Sequence, residues 1–252
     1  MSIGPRSWRR PATALACIMA MPVAACSADS SARGQSDDGK PIDYAALRNF
    51  SGVELTGPDD VVVTVGGPFK VAAEGDPKSI AKLDIRIVNG QLEIGRKRGS
   101  HSWFGVNEDG KGVIVRVSMP AIASAELTGS GNLSIDRVRG QKLSLDLTGS
   151  GDIKLGTVAV ADLSAHITGS GNIALAGTAD LVDFSTTGSG ELDGQALKAG
   201  GGKVSLLGSG DVAFASDGAV DISIMGSGDV TVKGGVKCES SVMGSGEAHC
   251  GG

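Results

Sequence analysis

Residues 125–135 read Ala-Glu-Leu-Thr-Gly-Ser-Gly-Asn-Leu-Ser-Ile, and the Gly-Ser-Gly within this stretch recurs along the rest of the chain. The copies start 18 to 20 residues apart, and their first glycines are Gly129, Gly149, Gly169, Gly188, Gly208, Gly226 and Gly244. A near-constant period of this length indicates stacked repeats, each of which buries its apolar face against its neighbours.

Apolar and polar residues alternate on both sides of each Gly-Ser-Gly. Leu127 and Ala125 precede the first corner with Glu126 between them, and Leu133 and Ile135 follow it. A period of two is typical of strands with one buried and one solvated face. Every repeat has the same order of strand, corner, strand and loop. The sequence therefore predicts an all-β fold, a parallel β-solenoid with about 18–20 residues per coil, whose corners need glycine for a positive φ.

The composition fits a long and narrow interior. The 252 residues include 40 glycines but only 3 % aromatic residues, which favours many turns around an interior of Leu, Ile and Val. The net charge is −5. A chain with this acidic charge is a poor partner for nucleic acid.

The N-terminus resembles a bacterial lipoprotein signal peptide. Three arginines within residues 6–10 precede an uncharged run that contains Val-Ala-Ala-Cys at residues 23–26. This pattern predicts a signal peptide over residues 1–25, lipidation of Cys26 and a membrane partner through that anchor. An ordinary cleaved secretory signal is the alternative. Ser27 implies the outer membrane by resemblance to such lipoproteins, and the small polar residues over 26–43 predict a flexible tether.

The predicted solenoid domain, residues 44–252, has two parts, an irregular one over 44–120 and a regular one over 121–252. Residues 54–63 align with residues 126–135, which places a first coil in the irregular part. Further strands are predicted over 69–73, 83–88, 91–94 and 113–118, with a hairpin turn at Asn89-Gly90 and a single helical turn within 76–82. Irregular terminal repeats are expected because an end coil needs a cap over its open edge.

These motifs together resemble the bacterial family called "putative auto-transporter adhesin, head GIN domain". The resemblance spans about residues 47–250 and rests on five stretches: Phe-Ser-Gly-Val-Glu-Leu at 50–55, Asp-Val-Val-Val-Thr-Val at 60–65, Asn-Gly-Gln-Leu-Glu-Ile at 89–94, Val-Arg-Val-Ser-Met-Pro at 115–120, and the repeated Leu-Thr-Gly-Ser-Gly-Asn/Asp. It implies a right-handed parallel β-helix on exported or envelope-anchored proteins. It also implies an adhesin or scaffold role, with no cofactor and no catalytic residues.

Cys238 and Cys250 are the two cysteines expected to remain after signal cleavage and lipidation. They lie six residues before and six after Gly244, both at inward positions of the last coil. The sequence therefore predicts a disulfide that joins the two strands of this coil, and two buried thiols are the alternative.

Catalysis is a secondary hypothesis. Parallel β-helices include polysaccharide lyases and hydrolases. Asp146 and His166 are predicted to be neighbours on the outer face, close enough to hydrogen-bond as a base and its orienting group. No nucleophile with a second orienting residue is evident, so the sequence favours a non-enzyme. A glycan-binding or polysaccharide-degrading protein is the alternative, with an envelope glycan or a surface protein as the expected partner.

An acidic column and a basic loop are two further candidate sites. The acidic residues that follow the corners are predicted to stack in a column, namely Asp152, Glu191, Asp211, Asp229 and Glu247. Because stacked carboxylates repel one another, a hard cation such as Ca²⁺ could bridge them. Solvated turn residues are the alternative. The loop that begins at Arg96 combines basic and aromatic residues suited to a saccharide or protein partner: Arg96, Lys97, Arg98, Trp103 and Phe104. The alternative is that Trp103 and Phe104 fold back over the solenoid.

Overall fold

The computed structural model describes residues 44–97 and 112–251. These residues form a β-solenoid of about six turns, and nearly all of the secondary structure is strand. After a 3₁₀ turn at Tyr44–Ala46, the strands and the short helix have these bounds: β1 Gly52–Gly57, β2 Asp60–Val65, β3 Lys70–Glu74, α1 Pro77–Ile80, β4 Leu83–Val88, β5 Gln91–Arg96, β6 Ile114–Met119, β7 Ser124–Gly129, β8 Asn132–Gly149, β9 Asp152–Gly169, β10 Asn172–Gly188, β11 Leu192–Ala199, β12 Gly202–Gly208, β13 Val212–Ser216, β14 Ala219–Gly226, β15 Val230–Lys233, β16 Lys237–Gly244 and β17 Ala248–Cys250.

Equivalent residues of successive coils pair directly with one another. Gly129 pairs with Gly149, and Gly149 pairs with Gly169, in parallel ladders. The same parallel register continues through the corner glycines Gly188, Gly208, Gly226 and Gly244. The structure thus confirms the predicted parallel solenoid.

The corners use glycine for two physical reasons. The first glycine of each of the seven corners has φ between +123° and +139°, a region that side-chain-bearing residues rarely adopt. The coils also approach closely: the Gly129 carbonyl accepts hydrogen bonds from the N–H groups of Ser150 (2.9 Å) and Gly151 (3.1 Å). A Cβ on Gly149 would overlap this carbonyl oxygen. Each corner therefore packs backbone on backbone.

The coils with 20 residues contain three straight segments rather than two. In β8 these segments are 132–135, 137–140 and 142–149, and β9 follows the same division. The corner motif predicts only the two segments that flank it, because the third has no glycine signature of its own. In the last two steps of the repeat, which are 18 residues long, only the flanking segments pair.

The interior is aliphatic, as the alternation predicts. Leu127, Leu147 and Ile167 form one buried column, and Leu133 and Ile153 begin another. Two aromatic side chains, Phe184 and Phe214, are also buried in the interior, where their rings pack edge to face with centroids 5.4 Å apart. Burial of these side chains is the main stabilising contribution to the fold.

The irregular region closes one end of the solenoid, but chain order and spatial order differ there. The first coil, β1 and β2, lies between β7–β8 on one side and β5–β6 on the other, all in parallel register. The observed pairing of residues 54–57 with 126–129 confirms the predicted alignment. β3 and β4 then pair antiparallel with β6 and β5, so the described residues 66–97 and 112–119 form a cap on the first coil.

Two local predictions in the cap are also confirmed. Asn89 and Gly90 connect β4 to β5 with φ of 50° and 77°. The helical turn α1 starts after Asp76, whose carboxylate accepts a hydrogen bond from the Ser79 N–H at 3.0 Å.

Candidate functional site

The outward side chains of the strands before the corners form a regular grid, which we call the outer face. Each coil contributes the residues five, three and one positions before its first corner glycine, and parallel pairing stacks them into three columns. From β8 to β16 the rows of the outer face are Ser144-Asp146-Thr148, Ser164-His166-Thr168, Asp183-Ser185-Thr187, Lys203-Ser205-Leu207, Asp221-Ser223-Met225 and Glu239-Ser241-Met243.

The third column changes character towards the C-terminal end. Extended to the first coil, it holds threonine in five successive coils, from Thr56 to Thr187, and then Leu207, Met225 and Met243, which are 47, 51 and 68 % exposed. We call these three residues the apolar stripe. An exposed, contiguous run of large apolar side chains is unusual on a protein surface and marks contact sites.

The first column of the outer face carries charge at the same end of the solenoid as the apolar stripe. Asp183, Lys203, Asp221 and Glu239 pair in that order through four coils. Two shallow depressions of about 420 and 330 Å³ share Lys203 and Asp221 as lining residues. Serine hydroxyls occupy the column between the charges and the stripe. This end of the outer face therefore offers ionic, hydroxyl and apolar contacts side by side.

The last coil leaves one edge of the solenoid open within the described residues. Val242 occupies an inward position that is buried in the seven earlier coils, yet it is 43 % exposed because no described strand stacks on β16. Cys238 and Cys250 form the predicted disulfide. They stack on Val220 and Val232, so the bridge crosses the interior of the last coil.

The acidic column lies in register, and its three aspartates accept backbone N–H groups from the following coil. Asp229 donates its N–H to Asp211 Oδ1 at 2.9 Å, and Glu247 donates its N–H to Asp229 Oδ1 at 2.9 Å. Asn172 likewise donates to Asp152 Oδ1 from its N–H and its side chain. In the part of the chain that the structure describes, no three acidic, histidine or cysteine residues are grouped to hold a metal ion. Cation binding by Asp152, Glu191, Asp211, Asp229 and Glu247 stays a prediction.

The basic loop contributes Arg96 to the fold. Arg96 ends β5 and binds Asp59 in the first corner through Nε–Oδ2 and Nη2–Oδ1 contacts of 2.8 and 2.5 Å. This hydrogen bonding raises the pKa of Arg96. The Lys97 N–H donates to the Lys82 carbonyl. Arg98, Trp103 and Phe104 lie outside the described residues, as do the predicted signal peptide over 1–25, the predicted lipidation site Cys26 and the predicted tether over 26–43.

Asp146 and His166 are neighbours on the outer face, as predicted, and Ser185 follows them in the same column. Asp146 accepts a hydrogen bond from Ser144 Oγ at 3.0 Å, and among the described contacts none joins Asp146 to His166. The three side chains line neither depression. Their arrangement gives no support to catalysis.

Residues 49–235 match the family described as "Putative auto-transporter adhesin, head GIN domain". The chain belongs to this family. No curated protein matches the sequence. Across the described part of this head GIN domain protein, we find no helix with the length and apolar character needed to span a membrane.

Solved structures share the fold of the head GIN domain. A "putative adhesin" from Bacteroides fragilis is similar with a TM-score of 0.71 and 18 % identity, over 81 % of this chain and 93 % of the other. A "putative lipid binding protein" from Parabacteroides distasonis gives 0.64 and 19 %, over 81 and 93 %. A "putative adhesin" from Parabacteroides merdae gives 0.60 and 19 %, over 81 and 92 %.

The disulfide of the head GIN domain should stabilise its last coil. The bridge closes a loop with a sequence separation of 12, so Cys238→Ser with Cys250→Ser is expected to lower the free energy of unfolding by about 2–3 kcal/mol. Hydrogen exchange should accelerate most in β16 and β17. Equal acceleration in β8 would contradict a local role for the bridge.

A column of glutamates at the capped end of the domain predicts a pH effect. Burial, and then the carboxylates of Glu126 and Glu93, raise the pKa of Glu54 above its ordinary value of 4.5. The folded state thus holds this proton more tightly than the unfolded state, and stability falls as the pH rises from about 4.5 through the raised pKa. Glu54→Gln should therefore stabilise the domain at pH 7 by roughly 0.5 kcal/mol and lose that advantage at pH 4. Urea unfolding at both pH values, with exposed Asp180→Asn as the control, measures the difference.

Proposed function

We propose that this head GIN domain is a non-enzymatic scaffold, anchored in the bacterial envelope by lipidated Cys26, that displays the C-terminal part of its outer face to a surface partner. The observation that carries this proposal is the apolar stripe, which replaces threonine in the last three coils only. A solvated face without a partner has no need of this change.

The physical properties of the stripe suit contact with another molecule. Leucine and methionine side chains bury considerable apolar area when covered, and methionine adapts its shape to varied surfaces. The apolar stripe lies on strands that pair in regular register, so its backbone is already ordered. Binding of a partner therefore costs little free energy for ordering this surface. The family description and two of the similar structures carry the word adhesin, which fits a contact role.

Anchoring and export rest on the N-terminal sequence. A flexible tether over residues 26–43 would let the solenoid stand away from the membrane to which the lipid attaches. Expression with Cys26→Ser tests this step: the wild type should fractionate with outer membranes and gain the mass of a lipid. Equal fractionation of the two proteins would contradict lipid anchoring.

A second candidate function is binding of an envelope glycan. The two depressions favour it, because Lys203, Asp221 and the neighbouring serines offer hydrogen-bond donors and acceptors for sugar hydroxyls beside an apolar strip. Repeating coils about 4.8 Å apart would present the same groups again along an extended polysaccharide.

One binding experiment separates these candidates. Leu207, Met225 and Met243 are changed together to threonine, the residue of the earlier coils, and the matched control changes Thr128, Thr148 and Thr168 to serine. Both proteins are tested against envelope-surface proteins and an envelope-glycan panel, which is also scored for cleavage. We expect the threonine variant to lose at least tenfold in protein binding while its melting temperature is retained. Unchanged binding would refute the role of the stripe. Glycan binding that Lys203→Ala with Asp221→Ala abolishes would favour the second candidate.

A further inference from the structure

We infer that the open edge of β16 binds an extended strand of a partner protein, added parallel to β16, with a cationic side chain opposite Glu239 and apolar side chains opposite Val242 and Met243. This inference rests on the proposed contact function and specifies the partner. Three features of the last coil carry it, namely its backbone, its inward side chains and its charge.

The backbone of β16 has unpaired hydrogen-bonding groups among the described residues, and the earlier coils show how a further strand would pair with them. In each earlier corner, the carbonyl of the first glycine accepts an N–H from the following coil, as Gly226 accepts from Ser245 (2.9 Å) and Gly246 (3.1 Å). Gly244 occupies the same position in the last coil, and no described residue donates to it. Over Lys237–Gly244 the only ladder among the described residues is the one with β14. An added strand would continue the pairing, which is how sheet edges recognise extended peptides.

The inward side chains of β16 favour an apolar partner residue. Val242 stacks on Ile224, which is 1 % exposed, but is itself 43 % exposed. Next to it, Met243 is 68 % exposed on the outer face. An added strand with two consecutive apolar residues at these positions would cover Val242 on the inner face of the sheet and Met243 on its outer face.

The charge of the last coil favours a cation. Asp221 and Glu239 are direct neighbours in the first column, a like-charge pair that is unfavourable. The interior of the same column shows the favourable alternative, because Lys203 lies between Asp183 and Asp221. A lysine or arginine opposite Glu239 would restore this alternation at the edge.

The chain itself contains a strand with all three features, which supplies a probe. Residues 202–211 read Gly-Lys-Val-Ser-Leu-Leu-Gly-Ser-Gly-Asp, with lysine in the charged column, consecutive leucines before the corner, and the corner itself. Within the fold this segment adds in parallel register to the strand that carries Asp183. A synthetic peptide of this sequence should therefore add to β16.

The test measures binding of the labelled peptide to the full chain by fluorescence anisotropy. Glu239→Lys should weaken binding about fivefold to tenfold, because it replaces an attractive cross-strand pair by a repulsive one. A peptide with glutamate in place of its lysine should show the opposite preference, binding Glu239→Lys better than the wild type. Asp180→Lys, an exposed change of equal charge in a different part of the chain, is the matched control and should leave binding unchanged.

Several results would overturn the inference. Absence of peptide binding would do so, as would equal binding to the wild type and Glu239→Lys. A wild-type dimer in sedimentation that Glu239→Lys dissociates would instead assign the edge to a second copy of this chain. If the edge fails in these tests while the threonine variant of the stripe still loses envelope binding, the proposed function stands without this inference. If the stripe variant also binds normally, the proposed function fails as well.

Discussion

Gly169→Ala is expected to lower the free energy of unfolding by on the order of 4 kcal/mol, or to prevent folding, because two costs add at one atom. Gly169 has φ of +129°, where an alanine is strained. Its new Cβ would also overlap the Gly149 carbonyl oxygen, which belongs to the backbone of the preceding coil and has no room to move aside. The strain would be transmitted to the hydrogen bonds from Ser170 and Gly171 to Gly149.

The matched control is Gly140→Ala in the same solenoid. Gly140 lies in β8 at an exposed position, and a Cβ built there has no heavy atom within 4 Å. Its substitution should be neutral or slightly stabilising, since alanine reduces the freedom of the unfolded chain. Chemical unfolding of both variants measures the difference. Comparable losses at the two positions would mean that the corner is not the element that specifies the fold.

The regular part of the fold could be predicted because each physical requirement recurs at the same place in each repeat. A corner that stacks backbone on backbone needs glycine, and a one-sided interior needs alternate aliphatic residues, so both signals survive in the sequence. The same frame placed Cys238 and Cys250 in one coil and aligned residues 54–63 with 126–135.

The order of the coils in the cap could not be predicted. β5 and β6 follow β2 in sequence but lie on the far side of the first coil, away from β7. Alternation tells which face of a strand is buried, but it carries no information on which neighbour the strand pairs with. The apolar stripe was also missed, because Leu207 and Met225 stand next to inward residues and read as part of the core in a one-dimensional pattern.

The first corner has Asp59 at the position where the later corners have glycine, and the structure explains this difference. In later coils the third corner residue is glycine because a Cβ would overlap the corner beneath it, as at Gly151 over Gly131. Beneath the first coil lies the cap instead of another corner, and there the guanidinium of Arg96 binds the Asp59 carboxylate. Asp59 is 1 % exposed, so its carboxylate depends on Arg96 for compensation.

Arg96→Ala is therefore expected to cost about 3–5 kcal/mol, the cost of leaving a buried charge without its partner. Arg116→Ala is the control, because Arg116 pairs with Glu74 at 2.9 Å while both side chains are about half exposed, and its loss should cost less than about 1 kcal/mol. Similar losses in the two variants, measured by urea unfolding, would contradict the burial argument.

A double substitution tests the pairing itself. Asp59→Gly gives the first corner the glycine of the other coils, so Asp59→Gly with Arg96→Ala removes both the buried carboxylate and its partner. We expect the double variant to be more stable than Arg96→Ala alone by about 2 kcal/mol, a coupling typical of groups in direct contact. Additive losses would show that Arg96 stabilises the cap through its packing, and would separate the corner from the cap energetically.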